Sequence, residues 1–379
     1  MAGIYIHIPF CKSRCIYCGF YSQTSLSLRQ RYVNALCREM EIRAHQKEYA
    51  GWSINTVYLG GGTPSQLTAH QLRQLFNHIN KVYGLALSDA HHHHLEVTIE
   101  CNPDDVTDAF ADALCSLPVN RVSMGVQSFS DERLRFLHRR HNATQVVQAI
   151  ERLRSAGIDN ISIDLIYGFP NETMEQWQAD IDAAIALKVE HLSAYALQYE
   201  EGTPLYAMMK RGEVHEIDEE LSRRMYYMLK DQLADAGYEH YEISNFALPG
   251  RRSRHNGSYW NQTPYIGLGA AAHSFDGRDR QWNVSDIQRY IEGMENGNSV
   301  AEKENLTDDN RYNEQVMTAL RTCEGLSLSS LSSQYRDYCL LQAKPYLDGA
   351  LLTIADDHLR LTRNGLFVSD MVICDLMMV

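Results

Sequence analysis

The chain of 379 residues is 44% hydrophobic and 22% charged, an ordinary globular composition that excludes wholesale disorder and leaves room for one large domain and a smaller one. Its 35 lysines and arginines against 48 aspartates and glutamates give a formal charge of -13, so the surface repels nucleic acid and anionic lipid, and no run reaches the roughly 18 to 20 apolar residues of a membrane span. Met1 leads directly into Ile4-Tyr5-Ile6-His7-Ile8 without a basic lead segment, the pattern expected of a cytoplasmic protein.

In chain order, short β-rich runs alternate with helical ones. Strands are expected at Gly3 to Pro9, Ile54 to Leu59, Leu95 to Cys101, Val119 to Val126, Ile158 to Ile166 and His191 to Leu197. Helices are expected at Leu28 to Lys47, Thr68 to Tyr83, Thr107 to Ser116, Ala143 to Ala156 and Thr173 to Leu187, where apolar residues recur at three- and four-residue steps, as in Leu72, Leu75, Phe76 and Ile79. This βα alternation predicts an α/β fold, a partial (β/α)6 TIM-like barrel over residues 1–200, with ligands gathered at the C-terminal ends of the strands.

Beyond residue 200 the pattern shifts to a long helix, Asp218 to Ala236, a Tyr-rich strand, Tyr238 to Ser244, and an irregular aromatic segment ending near Phe275. Residues 201–300 thus read as a mixed, barrel-flanking extension. A Gly, Asn, Ser and Glu-rich stretch, Gly293 to Asn305, precedes helices and a closing hairpin, Leu351 to Ile354 and Leu359 to Leu361, expected to form a small winged-helix-like domain over residues 301–379. Arg311 to Leu320 reads there as a packing helix, because no basic stripe accompanies it. His91 to His94 reads as a solvated loop, since four adjacent histidines cannot all converge on one ion, and Met377 and Met378 read as part of a hydrophobic face.

Of nine cysteines, Cys37, Cys101, Cys115, Cys323, Cys339 and Cys374 are scattered and read as small hydrophobes. Cys11, Cys15 and Cys18 stand apart, three thiols within eight residues directly after the first strand. A [4Fe-4S] cluster takes one thiolate per iron, so three ligands leave one iron open to a small chelating molecule. Zinc is the alternative, although zinc sites usually pair two hooks of this kind and no second hook is present.

The C-x3-C-x2-C spacing is the signature of the radical S-adenosylmethionine superfamily, and Tyr5-Ile-His-Ile-Pro-Phe-Cys11 narrows the resemblance to the oxygen-independent coproporphyrinogen III oxidase family. It extends through Gly60-Gly-Gly-Thr-Pro-Ser65, Ile99-Glu-Cys-Asn-Pro103, Arg121-Val-Ser-Met-Gly-Val-Gln-Ser-Phe129, Ile163-Asp-Leu-Ile-Tyr-Gly-Phe-Pro170 and Gly267-Leu-Gly-Ala-Ala-Ala-His-Ser274. The resemblance implies S-adenosylmethionine as cofactor. Gly61, Gly62 and Thr63 would receive its methionine amino group, while Glu100, Gln127, Arg139 and Asp164 match positions that contact it, Arg139 suiting the carboxylate and Asp164 the ribose. Tyr5, Tyr17 and Ala196 match further binding positions.

Departures from the oxidase pattern decide the branch. Oxidases of the family carry C-x3-C-x2-C-x-C and an extension ahead of the first strand, whereas this chain has Phe20 in place of the last cysteine and begins two residues before that strand. Both features resemble the HemW-type heme chaperones, which share the motif H-N-x-x-Y-W, present as His255-Asn256-Gly-Ser-Tyr259-Trp260. That resemblance implies heme binding and delivery to heme-acceptor proteins, among them respiratory-chain enzymes, with any membrane contact made through those partners. His255 would offer an axial nitrogen, Tyr259 and Trp260 flat faces, and Arg251, Arg252 and Arg254 propionate partners, with His273 a second candidate ligand. The competing readings are a true oxidase that decarboxylates coproporphyrinogen III and a zinc-stabilised barrel without redox chemistry.

Overall fold

The computed structural model describes residues 1–46, 49, 51–85 and 95–378, so Lys47 and the His91 to His94 run lie outside the described residues. β1 (Ala2–Ile8), β2 (Ile54–Gly61), β3 (Glu96–Cys101), β4 (Arg121–Gln127), β5 (Ile161–Tyr167) and β6 (His191–Ala196) lie side by side in chain order, every neighbouring pair parallel. Outside them pack α1 (Arg29–Ala44), α2 (Ala69–Tyr83), α3 (Asp108–Cys115), α4 (Asp131–Phe136), α5 (Ala143–Ser155) and α6 (Met174–Ala186). Of these helices, α4 was not expected: six residues are too few for a periodic apolar face. Capping boxes start three of the others, Thr68 with Gln71, Asn142 with Gln145 and Thr173 with Gln176, and fix where each chain reversal ends.

Strand alternation gives the barrel two unlike faces. Ile4, Ile6 and Ile8 of β1, Val57 and Leu59 of β2, and Ile161, Ile163 and Leu165 of β5 are fully buried against the helices. The alternate positions are polar: Tyr5 and His7, Thr56 and Tyr58, Thr98 and Glu100, Arg121 and Ser123, Ser162 and Asp164, His191 and Ser193. A polar lumen is the reverse of a TIM barrel filled with branched apolar side chains.

After α7 (Pro204–Lys210) and α8 (Glu219–Asp235), the expected Tyr-rich strand is a hairpin of β7 (Glu239–Glu242) and β8 (Asn245–Ala247), and β8 runs antiparallel to β6. The segment read as irregular is in fact ordered into α9 (Arg254–Trp260), β9 (Tyr265–Leu268), β10 (His273–Phe275) and β11 (Asp279–Asn283). β9 pairs parallel with β1, adding a seventh parallel strand at the opposite edge. Four residues containing a glycine carry little alternation of their own, and their pairing partner lies far away in sequence. Following α10 (Ile287–Glu295), β12 (Ala301–Asn305) pairs with β11. Among the described residues the large sheet therefore holds twelve strands and takes in residues 301–305, expected from the sequence to belong to the C-terminal domain.

That domain is separate and has its own core. α11 (Asp308–Ala319), α12 (Ser333–Asp348) and α14 (Ser369–Leu376) enclose Tyr312, Val316, Leu326, Cys339, Leu359 and Val372 beside a three-stranded sheet of β13 (Leu326–Ser327), β15 (His358–Leu361) and β14 (Leu352–Ala355). The hairpin β14–β15 does not close the chain, because α13 (Arg363–Leu366) and α14 follow it. Among the described residues no helix is long and apolar enough to cross a membrane.

Trp177 of α6 is fully buried, its Nε1 donating to the Met225 carbonyl of α8 at 3.0 Å. Trp177→Ala is expected to cost roughly 3 to 5 kcal/mol through the cavity and the stranded carbonyl, read as a lower urea midpoint.

Candidate functional site

The cysteine loop leaves β1 through Pro9 and Phe10 and is fixed at several points. Cys11 N–H donates to the Gln23 carbonyl at 2.9 Å, and Leu205 N–H of α7 donates to the Ile16 carbonyl at 2.9 Å. Ile16, between the second and third cysteines, is 4% exposed and packs with Leu137, Phe169, Leu197 and Leu205. An apolar residue at this one position plants the loop in a small core of its own and leaves the three thiols half-buried and free. Lys12 is tied to Asp105 at 2.9 Å. Asp105 also accepts from Arg140, Ser65 and Gln66, at 3.2, 2.9 and 2.7 Å, so one carboxylate joins the cysteine loop, the segment after β2 and the segment before α5.

Against this loop lies a pocket of about 260 Å³ at the C-terminal ends of the strands. It brings together Tyr5, Cys11, Cys15, Tyr17, Cys18, Gly61, Gly62, Thr63, Glu100, Gln127, Arg139 and Asp164, residues drawn from five strands and three loops. Thr63 Oγ1 sits 3.4 Å from Cys11 Sγ, and Arg139 Nη1 donates to Cys15 Sγ at 3.4 Å. The other guanidinium nitrogen of Arg139 donates to Asn102 Oδ1 at 2.6 Å and to the Gly125 carbonyl. Arg139, expected to meet a ligand carboxylate, is thus engaged as a brace between Cys15 and the ends of β3 and β4.

Two glycines are required by close approach. Gly61 has φ 108°, and a Cβ there would fall 2.5 Å from His7 Nδ1. A Cβ on Gly125 would meet Gln127 Nε2 at 2.8 Å and the Arg139 guanidinium at 3.1 Å. Gln127 itself stands in the left-handed region at φ 68°, which curls its side chain back over Gly125. A buried non-glycine residue held there is strain concentrated at the pocket.

Burial governs the acids. It pushes the Glu100 carboxyl up to about 7, against hydrogen bonds from Tyr58 OH at 2.7 Å and Gly61 N–H at 3.1 Å that pull it down. Asp164 is pushed up to about 6 by burial, with a hydrogen bond from Ser193 and the charges of Arg121 and Arg139 opposing. Burial also raises the Cys18 thiol, and the neighbouring Cys15 and Cys11 add to it. Such a pocket holds charges that a cation or metal centre would stabilise.

Three expected site residues stand elsewhere. Ala196 ends β6 and is half-buried outside the pocket lining. His273, on β10, is exposed, with its ring stacked on Trp282 at 6.0 Å. Partial burial of the ring and the charge of Arg280 hold its imidazole below the ordinary value. His255 is 1% exposed, its Nδ1 lies 2.8 Å from Thr56 Oγ1 and its Nε2 3.0 Å from Tyr259 OH. Both ring nitrogens are spent, and burial drives its pKa down to about 3. The side chain fills the barrel floor, each ring nitrogen facing a hydroxyl. The arginines named with it are likewise engaged or distant: Arg252 pairs with Glu239 and Glu324, and Arg251 faces Asp159.

Sequence reasoning missed Ser13, Arg14, Phe20, Ser22, Cys101, Asn102, Ser123 and Gly125 in the pocket lining. Asn102, Ser123 and Gly125 lie inside quoted motifs, so their motif membership was the available signal. Cys115, Cys323 and Cys374 are exposed, unlike the buried Cys37, Cys101 and Cys339, so the reading of small buried hydrophobes fails for half of the scattered cysteines.

Among family models, the Radical SAM superfamily matches residues 5–184 and the HemN C-terminal domain matches residues 306–368. The heme chaperone HemW of Bacillus subtilis is 36% identical over 337 residues, covering 88% of this chain and 87% of its own. HemW of Mycobacterium tuberculosis (strain H37Rv) is 34% identical over 380 residues, covering 99% and 94%. Among solved structures, coproporphyrinogen III oxidase (HemN) from Escherichia coli superposes with a TM-score of 0.83 over 99% of this chain and 90% of its own at 22% identity, a likeness of fold.

Burial would raise the Asp105 carboxyl, but Lys12, Arg140 and Ser65 outweigh it and hold it below the ordinary carboxylate value. The stabilisation is then complete at neutral pH and is lost as pH falls through the folded-state value. Asp105→Ala is expected to cost about 2 kcal/mol at pH 7, at the low end for a broken buried pair because Lys12 and Arg140 keep contact with water. Urea titrations should show the gap from the unaltered protein narrowing in acid.

Proposed function

The chain belongs to the HemW family of radical S-adenosylmethionine proteins, and from that premise we propose that it is a cytoplasmic heme chaperone that holds a [4Fe-4S] cluster and S-adenosylmethionine in the rim pocket, binds heme, and passes it to acceptor proteins. The observation that carries the reading is the pocket itself, where three free cysteines on one anchored loop meet a glycine cradle and two half-buried carboxylates. The donor set fits a cluster. Among the described residues no three metal-ligating side chains converge on a single ion, whereas a cluster takes its thiolates at separate corners, one to each iron.

Cys11, Cys15 and Cys18 would hold the cluster, whose fourth iron supplies a site for the methionine end of S-adenosylmethionine. The surrounding side chains orient that ligand. Gly61 and Gly62 bring bare backbone close, Glu100 and Asp164 present carboxylates to the ammonium and ribose hydroxyls, and Tyr5 and Tyr17 close the walls. Arg139 braces Cys15. Phe20, 71% exposed on the pocket margin, supplies no thiol where the oxidases carry one, which favours delivery over decarboxylation.

For heme, the neutral exposed His273 beside Trp282 is supported as the axial ligand over the enclosed His255. His273 lies near His7, whose ring backs Gly61 of the pocket, so cluster and heme would share one rim.

Ala substitution of Cys11, Cys15 or Cys18 is expected to abolish iron content and the cluster's visible absorbance after anaerobic reconstitution, while Cys37→Ala and Cys115→Ala leave both intact. Iron retained in all three triad variants would remove the cluster assignment. In heme titrations His273→Ala should shift the Soret band and weaken binding at least tenfold, and His255→Ala should leave the band in place. Multiple-turnover decarboxylation of coproporphyrinogen III would instead assign the oxidase activity.

A further inference from the structure

The motif around His255 lines no part of the rim pocket, yet it is built into the floor beneath it. Glu96 of β3 accepts from the backbone N–H groups of Arg254 and His255, both at 2.9 Å, and the Ser253 side chain accepts from Asn256 N–H, so the start of α9 is held against the strand ends. His255 then reaches into the lumen. Gly3 makes room for it, since a Cβ there would lie 3.1 Å from the imidazole. The ring lies nearly parallel to Tyr58, with centroids 5.0 Å apart and planes 23° apart, while Thr56 and Tyr259 fix its rotation. Above it, Tyr58 OH donates to Glu100 Oε1 at 2.7 Å, and Glu100 Oε2 accepts from Gly61 N–H at 3.1 Å. An unbroken set of contacts thus runs from the floor to the pocket.

We propose that His255 is a positioning residue for S-adenosylmethionine binding: packed flat against Tyr58, it fixes the phenol that aims the Glu100 carboxylate into the pocket. The inference rests on the S-adenosylmethionine reading of that pocket and gives the His255 motif a role in it. The need is physical. Thr56, Thr98, Ser123 and Gly3 are small, and without the imidazole a phenol on the inner face of β2 has empty space into which to rotate. A neutral ring suits the place, because the Arg121 guanidinium faces it and disfavours a second cation.

Glu100 is faced by Tyr58 and the Gly61 N–H from β2, by Asp164 from β5, by Arg121 from β4 and by Tyr5 from β1. Losing the Tyr58 bond removes one of the influences that keep Glu100 ionised, so Glu100 holds its proton to higher pH. Binding that uses the ionised form should then weaken at neutral pH and recover in alkali.

The test is equilibrium binding of S-adenosylmethionine to anaerobically reconstituted protein between pH 6 and 8, for the unaltered chain, His255→Ala, Tyr58→Phe and the double variant. Each single change is expected to weaken binding about tenfold at pH 7 and to move its pH midpoint upward, with the double variant no worse than either single. Iron content and the heme spectrum should not change. His255→Gln, which keeps polar partners for Thr56 and Tyr259, should recover part of the loss, and with Tyr58→Phe it carries the comparison if the alanine variant does not fold. Additive losses, or an unshifted pH profile, would overturn the positioning role. Absence of binding by the unaltered chain would overturn the S-adenosylmethionine reading itself.

Discussion

Polar side chains packed inside a parallel sheet are the constraint on which everything else in this structure depends. A lumen lined by Tyr58, Glu100, Arg121, Asp164 and His191 is tolerable only where those groups satisfy one another, since an unmatched buried charge costs several kcal/mol. Most are matched. His191 lies between Ser162 and Tyr241 at 2.7 Å each, and Ser193 donates to Asn245. Thr98 Oγ1 has no hydrogen-bond partner among the described residues, and Arg121 is the charged exception, 1% exposed and likewise without one for its three guanidinium nitrogens. Its charge is balanced at longer range by Glu100 and Asp164, and those two acids are in turn kept from full neutralisation by it. The lumen is an electrostatic unit, and the rim pocket is its open end.

The same logic separates the histidines. His255 and His191 are enclosed, doubly engaged and driven to the neutral state by burial; they serve as rigid hydrogen-bonding spacers. His273 is at the surface, with its ring stacked on an indole. A side chain's chemistry is set less by its type than by whether both ring nitrogens already have partners.

Much of this was legible in the sequence because the information was local. The six strands and their helices announce themselves by periods of two and three to four, and the cysteine spacing by itself marks a loop that wraps one centre. The twelve pocket-lining residues anticipated from motifs cluster because strand ends converge wherever a parallel sheet curls. What could not be read depends on distant partners. Nothing near Tyr265 says that it will pair beside Gly3, and nothing in His255-Asn256-Gly257-Ser258-Tyr259-Trp260 says that Thr56 and Glu96 will draw the motif inward. A histidine beside two aromatics has the same sequence whether it awaits iron or seals a floor; only tertiary burial distinguishes them.

Ile16 has a consequence for assembly. In small metal-dependent domains the unliganded chain has no defined shape, so metal capture and folding are one event. Here the cysteine loop is already seated by an apolar side chain in its own small core, by Leu205 from α7 and by the Lys12 pair with Asp105, none of which involves a thiol. For the proposed cluster, folding and loading would thereby be separable: the polypeptide could be made first and filled later, and a cluster lost to oxygen would leave the loop held by the same thiol-free contacts, to be refilled without passing through an unfolded state.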